Sequence, residues 1–67
     1  MFMVSWYFKS NNSYLGYEPF LDELQALDNA QESSKKTQDL YFIVKQIDTD
    51  ESGNNLQLNE IWDSRNI

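Results

Sequence analysis

The absence of both cysteine and histidine from a chain of only 67 residues most strongly limits how this sequence can fold. A chain of this size buries only about 60% of the surface that its unfolded form exposes, so its core is small. Natural domains this small usually gain stability from disulfides, a metal ion or another chain. Because disulfides and zinc sites with thiolate or imidazole ligands are excluded, an oxygen-ligated cation or a partner chain remains. We expect one domain, 1–67.

The charge balance limits the class of partner. Eleven acidic and five basic residues give a net charge of −6. Direct binding to nucleic acid requires lysine and arginine to neutralise phosphates, so we expect no nucleic-acid ligand. A protein partner with a basic surface would suit this charge. No apolar run approaches the ~20 residues of a membrane span and no signal-peptide pattern opens the chain, so we expect a cytoplasmic protein without a membrane partner.

Enzymatic chemistry is not expected from these residues. The serines have no histidine base, and adjacent carboxylates such as Asp22 and Glu23 are typical of a solvated surface. Gly16 and Gly53 are the only glycines, so there is no glycine-rich phosphate loop. We therefore predict a non-enzymatic protein without a cofactor, with calcium as the alternative.

The opening segment predicts a β-strand. One face carries every second residue, namely Phe2, Val4, Trp6 and Phe8, and the other carries Met3, Ser5, Tyr7 and Lys9. The polar residues 10–13 predict a turn. Residues 14–17 are compatible with a short returning hairpin arm that bends or bulges at Gly16.

A helix is predicted next, beginning at Glu18-Pro19, because proline is tolerated at the first helical position. A helical stripe expected to face the core is formed by Phe20, Leu24, Leu27 and Gln31. The largely opposite, solvated side is formed by Glu18, Asp22, Gln25, Asn29 and Glu32.

The C-terminal third predicts a β-hairpin. Residues 40–48 fit both a buried strand and a helical stripe, and the β-favouring run Tyr41-Phe42-Ile43-Val44 favours the strand. An Asp-rich turn follows, and the alternation from Leu56 to Trp62 predicts a last strand. The expected fold is therefore α+β: a small β-α-β-β domain with one amphipathic helix on a three-stranded sheet and a C-terminal hairpin. The position of the first strand relative to the hairpin is left open.

One motif could hold a metal ion. Asp48, Asp50, Ser52 and Gly53 stand at relative positions 1, 3, 5 and 6, and here the chain resembles the EF-hand calcium-binding family. The resemblance implies calcium bound by Asp48, Asp50, Ser52 and Glu60, and an all-α EF-hand-like pair as the second possible fold. The sequence departs from the family's pattern at positions 8 and 12, which are asparagines. A one-residue insertion would bring Glu60 into the last ligand position. The alternative, a hairpin turn bent at Ser52-Gly53, is favoured.

The functional prediction is a small acidic binding protein that docks onto a larger protein. A more specific version is an inhibitor of the type that phages encode, in which carboxylates mimic the charge of nucleic acid. The predicted partner-binding residues are Glu18, Asp22, Glu32, Asp48, Asp50, Glu51, Trp6 and Trp62. The alternatives are the calcium-binding module and a small structural or homodimeric subunit.

Overall fold

A computed structural model describes residues 1–49, 52–53 and 55–66 of the chain. Within them the chain forms four strands, one α-helix and one 3-10 turn, in two layers. The elements are β1 (Phe2–Phe8), β2 (Tyr14–Phe20), α1 (Glu23–Lys36), β3 (Leu40–Thr49), β4 (Leu56–Asp63) and the 3-10 turn Ser64–Asn66.

The strands form one antiparallel sheet in the order β2-β1-β3-β4. Each end of the chain contributes a hairpin, and α1 connects the two hairpins across one side of the sheet. The hairpins join where β1 pairs with β3, so that Val4 lies between Glu18 on one side and Val44 on the other. β2 and β4 are therefore the two edges of the sheet.

The predicted α+β class, single helix and C-terminal hairpin are confirmed, but the sheet has four strands rather than three. The additional strand is β2, in which Pro19 pairs with Met3 and Glu18 pairs with Val4. A helix beginning at Glu18-Pro19 was therefore wrong, and α1 begins at Glu23 after Asp22 as N-cap. Proline is accommodated here because β2 is an edge strand, where a missing N–H need not cost a ladder hydrogen bond.

The core lies between α1 and the sheet, and the helix contributes its smallest side chains to it. Ala26 and Ala30 are fully buried, whereas Leu24, which the predicted stripe placed in the core, is 69% exposed, and Gln31 is exposed as well. Of that stripe, only the half-buried Phe20 and Leu27 pack against the core. Alanine lets the helix approach the sheet closely. The space on both sides of the helix is then available to large rings from the strands: Phe2, Trp6, Phe42 and Trp62.

Gly16 makes room for one of those rings. It pairs with Trp6, and a Cβ built on Gly16 would lie 3.3 Å from Trp6 Cζ2. The register shifts between Trp6 and Tyr7, which pairs with Tyr14, so Leu15 is the additional residue of a β-bulge. The bend predicted at Gly16 is therefore a bulge at its neighbour.

The second possible fold, an all-α EF-hand-like pair, was wrong. β3 is a ten-residue strand with β1 on one side and β4 on the other. The run from Tyr41 to Val44 is buried throughout. β-branched and aromatic side chains suit such a central strand better than a helix, because they pack against neighbours on both faces of the sheet.

Candidate functional site: the helix-free face of the sheet

All four tyrosines of the chain lie on the face of the sheet that α1 does not cover. The register pairs Tyr7 with both Tyr14 and Tyr41, and pairs Ser5 with Tyr17. Paired residues share a face, and these positions alternate with the core residues that meet the helix. We call this surface the helix-free face.

Three of the tyrosines form a continuous row across the sheet. The rings of Tyr14 and Tyr7 meet edge to face with centroids 5.6 Å apart, and the rings of Tyr7 and Tyr41 stack at 5.0 Å and 14°. The row ends at Arg65, whose guanidinium carbon lies 4.1 Å from the Tyr41 centroid. We call Tyr14, Tyr7 and Tyr41 the tyrosine row. It links strands β2, β1 and β3 to the C-terminal 3-10 turn.

Asp63 holds Arg65 in position over the row. Arg65 Nη2 donates to Asp63 Oδ2 at 2.6 Å, and the Arg65 backbone N–H donates to Asp63 Oδ1 at 2.9 Å. The side-chain hydrogen bond from Arg65 lowers the pKa of Asp63, against the opposing effect of burial, and Asp63 in turn raises the pKa of Arg65. The arginine is therefore a fixed part of the helix-free face, although its side chain is half-exposed.

A second set of polar contacts fixes the centre of the row. Lys45 Nζ donates to Tyr7 Oη at 3.2 Å, and Tyr7 Oη donates to Ser5 Oγ at 3.4 Å. Ser5 is fully buried, and its hydroxyl points to the Ile43 carbonyl at 3.5 Å. Ring stacking and these contacts together hold Tyr7 in one orientation, which gives the face a rigid centre.

The margins of the helix-free face are exposed although its centre is not. Tyr41 is only 4% exposed, but Tyr14 and Tyr17 on β2 are 54% and 56% exposed. On the opposite margin, Leu56 and Leu58 of β4 are also exposed, and they share this face because they pair with Thr49 and Ile47. Exposed tyrosine and aliphatic side chains around a rigid centre are typical of protein interfaces.

On β3, β4 and the 3-10 turn, the charged side chains of the helix-free face balance. They are Lys45 and Glu60, which pair across β3 and β4, and Asp63 and Arg65, which form the ion pair described above. Two acidic and two basic residues subtracted from the totals of eleven and five leave nine acidic and three basic residues. These nine acidic and three basic residues account for the net charge of −6, and two of them, Asp50 and Glu51, lie outside the described residues.

The two tryptophans predicted to contact a partner lie on the other side of the sheet. Trp6 and Trp62 are half-buried and pack against the core beside the helix. Trp6 also lines a shallow groove with Glu18 and Lys36. Among the described residues, the exposed aromatic side chains are Phe8, Tyr14 and Tyr17, and neither tryptophan is one of them.

The predicted carboxylates are distributed over several elements. Glu18 lies on the edge strand β2, Asp22 caps the helix, and Glu32 lies farther along α1, 4.0 Å from Lys35. Ten helical residues correspond to about 15 Å, so Asp22 and Glu32 lie near opposite ends of α1. Asp48 is near the end of β3, whereas Asp50 and Glu51 lie outside the described residues. The structure does not bring Glu18, Asp22, Glu32 and Asp48 into one row.

The predicted calcium ligands are also separated. Asp48 pairs with Gln57 and Glu60 pairs with Lys45, an odd number of residues away along β3, so the two carboxylates lie on opposite faces of the hairpin. Ser52 belongs to the turn, and Asp50 lies outside the described residues. Among residues 1–49, 52–53 and 55–66, no group of three or more acidic side chains is arranged to hold a metal ion. Calcium binding by the turn stays a prediction.

Sequence reasoning overlooked the tyrosines as a set. Their signal was present in β1, because Tyr7 alternates with the core-facing Val4 and Trp6 and so must lie on the opposite face. The tyrosines of β2 could not be assigned in the same way, because the bulge at Leu15 interrupts the alternation. That their rings meet in one row depends on pairing between distant strands.

No helix in the described part of the chain has the length and apolar character needed to cross a membrane. Comparison of the chain with protein-family models, with curated proteins and with solved structures finds no match.

Proposed function

We propose that this protein is a non-enzymatic protein-binding domain that docks onto a larger protein through its helix-free face. The observation that carries this proposal is the gathering of all four tyrosines on one face of the sheet, where the charged side chains of β3, β4 and the 3-10 turn balance. The proposed contact residues are the exposed Tyr14 and Tyr17 and the exposed Leu56 and Leu58, around the rigid centre formed by Tyr7.

Tyrosine suits this function for a physical reason. Its ring supplies a large contact area at a low entropic cost, and its hydroxyl can donate or accept a hydrogen bond at the edge of the contact. Tyr7 and Tyr41 are already held by stacking at 5.0 Å, so a partner that contacts the row would not have to order them. The exposed pair, Tyr14 and Tyr17, would be the energetic anchors, since aromatic residues dominate binding energy at most interfaces.

The charge outside the helix-free face indicates the character of the partner. A net charge of −6 attracts a protein with a basic surface over a distance of about one Debye length, and so raises the rate of encounter. The contact itself would be made by the exposed tyrosines and leucines, beside two balanced pairs of charged residues. We therefore propose a partner that combines an apolar patch with a basic surrounding surface.

Mimicry of nucleic-acid charge remains a separate prediction about the other side of the molecule. It requires carboxylates arranged as a phosphate-like row, whereas Glu18, Asp22 and Glu32 lie on different elements or at opposite ends of α1. Replacing Asp22 and Glu32 with the corresponding amides tests it, because mimicry predicts that partner binding is lost. Docking through the helix-free face predicts that these variants still bind the partner and only associate with it more slowly.

Affinity capture with matched variants tests the proposed function. Tyr14→Ser and Tyr17→Ser together remove the two exposed tyrosine rings, and Leu24→Ser removes an apolar side chain from the helix side that is more exposed than either ring. We expect a larger protein to be retained by the wild type and by Leu24→Ser, and to be lost with the tyrosine double variant. Circular dichroism of each variant checks that the fold is kept. Equal retention by the tyrosine variant and the wild type would contradict the proposal.

A further inference from the structure

The two edges of the sheet differ in how they resist pairing with another strand. On β2, Pro19 and the bulge at Leu15 interrupt the edge, both of which are common protections against strand addition. On β4, the segment Leu56–Glu60 contains no proline, lysine or bulge, and its register with β3 is regular. No strand pairs with the outer side of β4 in the described part of the chain. β4 has a bulge as well, at Ile61, but its stretch Leu56–Glu60 is regular, and we call this stretch the open edge.

We propose that the open edge of β4 pairs antiparallel with β4 of a second copy of this chain, giving a symmetric dimer with a continuous eight-stranded sheet. This inference rests on the edge of the sheet and not on its tyrosines, and it shares only Leu56 and Leu58 with the contact residues of the proposed function. A two-fold axis perpendicular to the sheet keeps both helices on the same side. The helix-free faces of the two copies then form one surface.

The segment is complementary to itself when the two-fold axis passes through Leu58. In that register Leu58 lies opposite the second copy's Leu58, and Gln57 lies opposite the second copy's Asn59, where the two amides can exchange hydrogen bonds. Glu60 lies opposite the second copy's Leu56. The bulge at Ile61, where the register with β3 shifts, ends the flat part of the strand.

Charge also favours this register for two copies that each carry −6. Pairing centred on Glu60 would place two carboxylates directly opposite each other, which destabilises a strand pair. Pairing centred on Leu58 separates them by four residues, about 13 Å along the strands. The exposed Leu58, at 46% exposure, is then covered in part by the second copy's Leu58, and Leu56, at 63%, by the stem of the second copy's Glu60. The dimer thus buries the apolar margin of β4 without opposing like charges.

Sedimentation equilibrium of the full chain tests the dimer. We expect the wild type to form a dimer at high concentration and Leu58→Lys to be monomeric, because two ammonium groups would face each other at the axis. Leu24→Lys places the same charge on an exposed apolar position of the helix and should still form a dimer. A wild type that is monomeric at every accessible concentration would overturn the proposal. So would a Leu58→Lys protein that still forms a dimer.

Disulfide formation provides a second readout that does not depend on the stability of the lysine variant. Residues directly opposite on antiparallel strands have Cα atoms about 4.5–5.5 Å apart, within the range that a disulfide spans. The chain has no cysteine of its own. We expect Leu58→Cys to form a covalent dimer in a glutathione redox buffer and Leu24→Cys to stay mainly monomeric. A monomeric Leu58→Cys protein under these conditions would contradict the register.

The two proposals fail separately. If Tyr14→Ser and Tyr17→Ser abolish the dimer while Leu58→Lys keeps it, two copies associate through the helix-free face and the edge-pairing proposal is wrong. If the tyrosine variants lose the larger partner and keep the dimer, both proposals are supported. If the wild type is monomeric and the tyrosine variants lose the larger partner, the proposed function is supported and the edge-pairing proposal is wrong.

Discussion

The guanidinium group of Arg65 lies 4.1 Å from the centroid of the Tyr41 ring and covers it. The other neighbour of Tyr41 is Tyr7, stacked at 5.0 Å, so the Tyr41 ring is enclosed between an aromatic ring and a cation. This explains why a tyrosine on an uncovered face of the sheet is only 4% exposed. The C-terminal turn thus completes the tyrosine row.

The ion pair that positions Arg65 should make stability depend on pH in the acid range. The hydrogen bond from Arg65 lowers the pKa of Asp63 in the folded state below its unfolded value of about 3.9. A lowered pKa contributes stability that is present above the unfolded value and lost as the pH falls through the folded value. We therefore expect Asp63→Asn to be less stable than the wild type at neutral pH, with a difference that shrinks in acid.

Urea unfolding at neutral and acidic pH measures this difference. Asp28→Asn, a substitution at an exposed position of the helix, is the matched control. Its difference in free energy of unfolding from the wild type should not shrink as the pH falls. If the difference in free energy of unfolding between Asp63→Asn and the wild type does not change with pH, the ion pair is not the source of the lower stability of the variant.

The helix should tolerate loss of an exposed leucine better than enlargement of a buried alanine. Ala30 is fully buried against the sheet, so Ala30→Leu forces additional volume into the core and should lower the free energy of unfolding by roughly 1–3 kcal/mol. Leu24 is 69% exposed, so Leu24→Ala should change the free energy of unfolding by less than about 0.5 kcal/mol. Urea denaturation measures both. The opposite order would mean that the leucine stripe, and not the alanines, faces the sheet.

A side chain at Gly16 should displace the Trp6 ring. A Cβ at this position would already lie 3.3 Å from Trp6 Cζ2, and the branched side chain of Gly16→Val needs still more room, so the ring must move. We expect a loss of roughly 1–3 kcal/mol in unfolding free energy and a change in tryptophan fluorescence. Leu15→Val, on the adjacent bulge residue, should leave the fluorescence unchanged. A Gly16→Val protein with wild-type emission and stability would contradict the packing.

Calcium should have no effect on the secondary structure of this protein. Asp48 and Glu60 lie on opposite faces of the hairpin, so they cannot bind one ion together, and strands rather than helices flank the turn. Far-UV circular dichroism with calcium and then with chelator should give superimposable spectra. A spectrum that changes with calcium, in a way that Asp48→Ala abolishes, would contradict this expectation and support calcium binding by the turn.

The local sequence pattern is sufficient to predict a strand where the alternation of side chains or the residue types clearly favour one. β1 shows alternation and β3 has a β-favouring run, and both were predicted correctly. The predicted stripe of α1 is right at Leu27 and wrong at Leu24, because Leu24 is more hydrophobic than Ala26 and yet is the exposed residue of the two. The sheet supplies large rings at Trp6 and Phe42, so the helix must supply small side chains. This fit between helix and sheet arises only when the two pack together, so the periodicity of the helix alone does not predict it.

The candidate site was less predictable than the fold. Tryptophan was expected at the interface because it is large and aromatic, but Trp6 and Trp62 fill the space beside a closely packed helix. The tyrosine row depends on the register between β1 and β2, which the bulge at Leu15 shifts by one residue. A one-residue shift moves a side chain to the other face, so no local pattern could place Tyr14 beside Tyr7.

Site-specific photo-crosslinking in cells that produce the protein tests the central claim most directly. A benzophenone amino acid replaces Tyr17 on the helix-free face or Leu24 on the helix, two positions with exposures of 56% and 69%. The account predicts an adduct with a larger protein from position 17 and none from position 24, and the mass of the adduct separates a larger partner from a second copy. An adduct with a larger protein that forms from position 24 and not from position 17 would show that the protein binds through its helix side.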